Sequence, residues 1–522
     1  MTRLRARLPI TASNRRWWTL GAMCFALFMV MLDNTVVNVA LPSIQRDLHA
    51  TISSLEWTVN AYTLSFAVLL VTGGRLGDIF GRRRMFLFGV VVFAASSAGI
   101  GFSPDDTWLV IGRAIQGIGA AFMMPGTLSI ISNTFPPHER GKAIGTWAGV
   151  SALALAIGPV VGGFLVENVS WQSIFFLNLP VAVAAVFVTL LATEESRDES
   201  VGHSVDIPGV AALSIGLGSL ILALVEANQW GWGSARIVSL LVASAVGLSA
   251  FVWAERHGRA PMVDFSFFRS RSFLGANLVG FVVSFAMLAM FFFLALYLQN
   301  VKGYTPLQAG VRFLPSTLML IVMGPLAGRL TDRISPRPLL TGGLVLVSAA
   351  LLWQSFIGVH TSYGFLAGAF VVMGLGMGLV MSPMSTAAMN SVEAAKAGVA
   401  SGTLSMSRMV GGTFGVASLG ALVAAMGRTK IDELLPHASS AQRGRLADAL
   451  GSGAAGSHLP ARVTDAMNEA FVYALQAGLR VGAAVALLGA ILAWALIDGE
   501  PARASAGDLA AAGGPAPEAL AA

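Results

Sequence analysis

The sequence predicts an all-α membrane protein of fourteen transmembrane helices, arranged as two parallel six-helix repeats with an inserted two-helix hairpin. Three observations carry this expectation. Of the 522 residues, 55% are apolar and only 11% charged, against roughly 25% charged in soluble domains. The apolar residues gather into stretches long enough to cross ~30 Å of hydrocarbon as helices. Finally, three short motifs recur in the same order at one nearly constant offset, as expected of a duplicated unit.

In chain order the spans lie near 18–41, 56–77, 86–103, 108–133, 143–166, 173–193, 208–226, 236–254, 273–299, 307–331, 338–358, 362–386, 399–426 and 472–497. Gly74-Arg75-Leu76-Gly77-Asp78, after span 2, is echoed by Gly328-Arg329-Leu330-Thr331-Asp332, which ends span 10. Gly117-Ile118-Gly119 in span 4 is echoed by Gly374-Leu375-Gly376 in span 12, and Gly162-Gly163 in span 5 by Gly411-Gly412 in span 13. Six plus six leaves spans 7 and 8 between the halves. The expected division is therefore an N-terminal arm (1–17), a six-helix bundle (18–193), a linker with the hairpin (194–256), a second bundle (257–497) with an outer loop at about 428–469, and a disordered tail (498–522). Glu194 to Glu199 is charged and reads as a solvated linker.

The formal net charge is +6, and its distribution speaks of orientation. With the N-terminus in the cytoplasm, inner segments carry 19 Lys/Arg and outer loops eight, so both ends are expected inside. No basic patch sits on a soluble domain, which argues against nucleic acid as a partner. Span 1 is too long for a secretory signal and lacks a small-residue cleavage site, so it is read as a mature helix. Cys24 is the only cysteine, which excludes an internal disulfide and a cysteine-rich metal site.

Span 1 holds one carboxylate, Asp33. An ionised acid inside a membrane helix costs roughly 2.5–3.5 kcal/mol on insertion scales. Binding a proton or facing a cation relieves that cost, so the default role is in transport. Arg113 in span 4 must likewise face a polar cavity or pair with an acid; a static ion pair is the alternative. Met29 shares the Asp33 face and Met124 the Arg113 face, and both could meet an apolar substrate or simply pack. Gly74, Asp78, Gly81, Arg82, Arg83 and the repeated Asp332 are read as a conformational latch in the cytoplasmic turns, where glycines allow helix ends to approach and Asp78 suits a helix N-terminus. Gly158-Pro159-x-x-Gly162-Gly163 in span 5 is read as a kinked, glycine-lined hinge facing its twin in the other half; glycine-mediated packing without motion is the alternative. Gly141-Lys142 lacks the rest of a phosphate loop, so ATP is not expected as energy source. Neither an H-E-x-x-H motif nor a plausible triad is found, so enzymatic activity is not expected.

At these residues the chain resembles the major facilitator superfamily, in its fourteen-helix drug:proton antiporter branch. Leu32-Asp33-x-Thr35-Val36-Val37-Asn38-Val39-Ala40-Leu41-Pro42 is similar to that branch's first-helix signature. Gly74 to Arg84, Arg113-x-x-Gln116-Gly117, the span 5 Gly-Pro motif and Tyr297-Leu298-Gln299 with Gly303-Tyr304-Thr305-Pro306 also resemble it. The chain departs at Gln172, where an arginine is common, at Ser335-Pro336 in place of a glycine, and at Ala154 in place of a leading glycine. The resemblance implies a monomeric multi-pass protein of the cell membrane, without cofactor or metal. It would export hydrophobic, often cationic drugs in exchange for protons, with Asp33 and Arg113 coupling the two. In that scheme ionised Asp33 attracts the substrate's charge, and protonation from outside displaces it. Rival readings are an exporter of an endogenous metabolite, such as a siderophore or self-made antibiotic, and a membrane sensor that does not transport.

Overall fold

The computed structural model describes residues 11, 14–50, 52–198, 206–257, 265–440, 442–446 and 460–499. Most of the N-terminal arm, part of the linker after residue 198, the middle of the outer loop and the tail beyond residue 499 lie outside them. The first six helices are α1 (Arg15–Leu48), α2 (Ile52–Phe80), α3 (Arg82–Gly101), α4 (Asp106–Thr134), α5 (Pro137–Asn168) and α6 (Asn178–Ala192), the last preceded by a single turn, Ser173–Phe176. The hairpin is α7 (Ile207–Trp230) and α8 (Ala235–His257). The rest are α9 (Arg271–Leu296, running into a π-helical turn, Tyr297–Val301), α10 (Leu314–Thr331, after Pro306–Arg312), α11 (Pro336–Gln354), α12 (Tyr363–Asn390), α13 (Ala397–Leu434) and α14 (Ala461–Leu496). Among the described residues thirteen of these are long and apolar enough to span a bilayer. The 32-residue α5 occupies the fifth place of the expected order.

Polar side chains set the helix starts. Asp105 accepts from the Trp108 N–H, Asp206 from Gly209 and Ser270 from Phe273, while Thr305 and Gln308 form a reciprocal capping box; each satisfies backbone donors that a helix start leaves open. Large apolar side chains, among them Phe88, Val91, Phe187, Trp253, Ile491 and Trp494, remain exposed around the bundle. That is the surface of a protein whose solvent is lipid.

Within the first set, α4 packs on α2 and α3, and α1 on α5 and α6; in the second, α9 packs on α13, and α12 on α10 and α11. The two sets meet chiefly along α5–α10 and α2–α13. The bundle has a terminal face, carrying the start of α1 and the end of α14, and a distal face opposite. Asp498 ties the second set together at the terminal face, where its carboxylate and N–H meet the Ser272 hydroxyl and its carbonyl accepts from Ser335.

Three expectations change. The Gly74–Asp78 stretch is not a turn, since α2 continues to Phe80; only Gly81, at φ 108°, breaks the helix, a conformation L side chains rarely adopt. The segment after α6 is not a free solvated linker. Glu195 accepts from the N–H groups of Arg83 and Arg84, and Ser196 from that of Arg82, while Asp198 donates its own to the Asp78 carbonyl. The outer loop is helical at both ends, because α13 runs to Leu434 and α14 begins at Ala461, where Ala-rich sequence extends each helix. Glu226, near the end of α7, is 4% exposed, because α7 packs against α2 and α13.

Candidate functional site

Asp33 and Arg113 lie side by side. Arg113 Nη1 donates to Asp33 Oδ2 at 2.5 Å, and both side chains are 1% exposed. Gln116 Nε2 and Asn178 Nδ2 donate to the other carboxylate oxygen at 2.9 and 3.1 Å. Arg113 is held in turn by the Thr58 carbonyl (3.0 Å), by Gln116 Oε1 (2.7 Å) and by the Tyr62 ring, 4.2 Å from its guanidinium carbon. Asn178 also donates to Ser97 Oγ, which donates to the Phe175 carbonyl. Five helices thus meet at one acid. Such saturation is what a buried pair requires, since desolvation otherwise outweighs the mutual attraction.

Asp33 lies near the middle of α1 (Arg15–Leu48), but its partners sit toward the distal face. Thr58, Ser97, Arg113 and Asn178 each lie within about 10 Å of the distal end of their own helix, at 1.5 Å per residue. Met29 (0% exposed) and Met124 (8%) are packed in the core, so neither lines an open binding surface in this conformation. Asp33 is likewise 1% exposed, with both carboxylate oxygens accepting from protein donors, so in this conformation it faces no open binding surface.

The latch residues divide into two groups. Asp78 accepts from the backbone N–H groups of Gly398 (3.0 Å) and Val399 (2.9 Å) at the start of α13, and from Arg82 Nε and Nη2 (2.9 and 2.6 Å). Arg82 also donates to the Ala395 carbonyl. The favourable N-terminus for Asp78 is therefore that of a helix in the other set. Asp332 makes the matching contact, accepting from the N–H groups of Gly141 (3.0 Å) and Lys142 (3.1 Å) of α5. Gly74 faces the Gly398 carbonyl and Gly141 the Gly328 carbonyl so closely that no Cβ would fit. Gly81 and Arg83 do not join this contact. Gly81 lies against the Glu195 carboxylate, and Arg83 donates to the Thr193 carbonyl, so both act within the first set. Together the two acids join the two helix sets at the terminal face.

The span 5 motif does not face its twin. α5 is continuous from Pro137 to Asn168, and its glycines lie on α1: a Cβ on Gly158 would meet Thr35 and Leu32, and one on Gly162 would stand 3.1 Å from Val36. A Cβ at Gly163 would find open space. Asp33 is thus flanked on its own helix by the residues on which α5 rests.

Gln116, Asn178, Tyr62 and Ser97 were not singled out by the sequence reading. Gln116 stands inside the Arg113-x-x-Gln116-Gly117 motif, and for both Gln116 and Asn178 a polar amide in an otherwise apolar span was the available signal.

Residues 23–416 match the Major Facilitator Superfamily. The chain is 36% identical over 500 residues to the tetracenomycin C resistance and export protein of Streptomyces glaucescens, covering 94% of this chain and 93% of that one. It is also 36% identical over 491 residues to the puromycin resistance protein pur8 of Streptomyces alboniger, covering 93% and 92%. In structure it is similar to the proton:xylose symporter XylE at a TM-score of 0.61, with 14% identity, over 95% of this chain and all of the other. With the family match over residues 23–416 and relatives 36% identical along nearly its whole length, the chain belongs to the major facilitator superfamily.

Proposed function

We propose that this transporter exports small hydrophobic compounds, antibiotics among them, and that inward proton movement drives the export. The resistance and export functions named for the two relatives support the first part. The single observation that carries the second is the Asp33 network: one buried acid, reached by donors from α4 and α6, near the distal face. In this reading the terminal face is cytoplasmic and the distal face is outside, the chain acts as a monomer in the cell membrane, and no nucleotide or cofactor takes part.

The mechanism follows from what α5 touches. Protonation of Asp33 from the distal side removes the charge that Arg113 balances and loosens the α1–α4 pairing. α1 carries Thr35, Leu32 and Val36 against Gly158 and Gly162 of α5. The other end of the same helix holds Gly141 and Lys142 against Asp332. A shift of α1 relative to α5 is therefore felt at the cytoplasmic latch about twenty residues away along α5, and release of the latch opens the cavity inward. Deprotonation toward the cytoplasm restores the pair and the closed latch. Substrate and proton thus compete through the conformation, not for one carboxylate oxygen.

A panel of hydrophobic antibiotics tested in an efflux-deficient host, with this chain and with Asp33→Asn at matched expression, tests the proposal. Protection by the wild-type chain and none by the variant is expected. Equal protection by both would remove Asp33 from the coupling step, and protection by neither would contradict export.

A further inference from the structure

Arg408 lies eleven residues into α13, about 16 Å from its terminal end, which is mid-depth in a ~30 Å hydrocarbon layer. An arginine there faces a polar cavity or pairs with an acid. Among the described residues no acid pairs with it, and its Nε is buried without a hydrogen-bond partner. The side chain is nonetheless partly exposed. Its Cγ, Leu404 Cδ1 and Met384 Sδ all lie 3.2–3.3 Å from where a Cβ on Gly280 of α9 would stand. The neighbouring Asn277 has its carbonyl oxygen occupied by Ser407. One turn further along the α9–α13 seam, Phe281, Phe285 and Phe414 form a ring cluster, with Phe414 41% exposed.

Asp33 and Arg113 pair with each other, while Arg408 has no acid partner among the described residues and stands beside apolar and aromatic surface. We propose that Arg408 forms a subsite in the transport cavity for an anionic oxygen, a carboxylate or ionised phenol, on an otherwise apolar substrate. The planar guanidinium suits a two-oxygen group, and Met384 and the phenylalanines suit the apolar body. This assignment rests on the export function proposed above and specifies the substrate class for it.

Three probes sharing one body test it: 1-pyrenebutyrate, its methyl ester and 1-pyrenebutylamine, titrated by fluorescence against the full-length protein in lipid nanodiscs. The wild type should bind the carboxylate most tightly. Arg408→Gln should weaken carboxylate binding by about tenfold or more, as loss of a charge-assisted hydrogen bond does, and leave the ester within about twofold. Arg408→Lys should retain part of the preference and stands in for the Gln variant if that one fails to fold. A wild-type preference for the amine or for none of the three, or an unchanged carboxylate preference in a folded Arg408→Gln, would overturn the assignment. Antibiotic protection by the wild-type chain, measured separately, reports on export itself, so the two failures are distinguishable.

Discussion

Asp78→Asn should loosen the closed latch without touching the membrane interior. Two of the four hydrogen bonds that Asp78 accepts cross between helix sets, from Gly398 and Val399, and two come from Arg82, itself 1% exposed. Hydrogen bonds to an ionised group contribute about 1.5–3 kcal/mol and neutral ones about 0.5–1.5, so neutralising the acceptor weakens each crossing bond by about 1 kcal/mol. The two together are worth about 2 kcal/mol, or about thirtyfold in the closed-to-open ratio. A latch closed 99:1 would become closed about 3:1. Spin labels at Arg84→Cys and Arg333→Cys, exposed on opposite sets, in a Cys24→Ala background would report the change by pulsed electron resonance. A second, longer distance should emerge at the terminal face, while substrate affinity at fixed conformation stays put. An unchanged distance distribution would refute the latch role of Asp78.

Gly398→Ala should have a similar effect by steric means, because its Cβ would meet the Asp78 carboxylate and the Gly74 carbonyl; the same label pair checks it. Arg113→Gln should cost about 3–5 kcal/mol by leaving Asp33 buried without its cation. The double variant with Asp33→Asn should recover part of that loss, so thermal unfolding of all four proteins closes a cycle, and strict additivity would deny the pair. Glu226→Gln should leave proton coupling intact, since Glu226 lies on α7 of the inserted hairpin and the donors to Asp33 come from α4 and α6; coupling lost at matched expression would place the hairpin in the proton path.

The spans and the pairing of Asp33 with Arg113 were accessible from sequence for one reason: charge inside a long apolar run is costly and therefore conspicuous. The duplicated Asp78 and Asp332 were accessible because both copies keep a side chain. What they bind was not. Gly141, Lys142, Gly398 and Val399 present backbone N–H groups, and a backbone donor leaves no residue-type signature. The Gly158 motif was legible as a packing device, but a glycine's absent side chain does not say which helix fills the space, and α1 does. Arg408 was hidden because a single arginine does not interrupt the hydropathy of span 13. The Glu195 tether was hidden because a run of charges resembles a solvated segment whether or not its backbone is paired.

The central claim is that Asp33 carries the transported proton. In everted membrane vesicles holding a pH gradient, adding a compound that the chain protects against should partly collapse the gradient, as read by a pH-sensitive dye. Asp33→Asn keeps an oxygen acceptor for Arg113, which also retains the Thr58 carbonyl and Gln116, so the variant should insert and fold. It should give no compound-dependent collapse. A full collapse in the Asn variant, at equal protein in the membrane, would contradict the account.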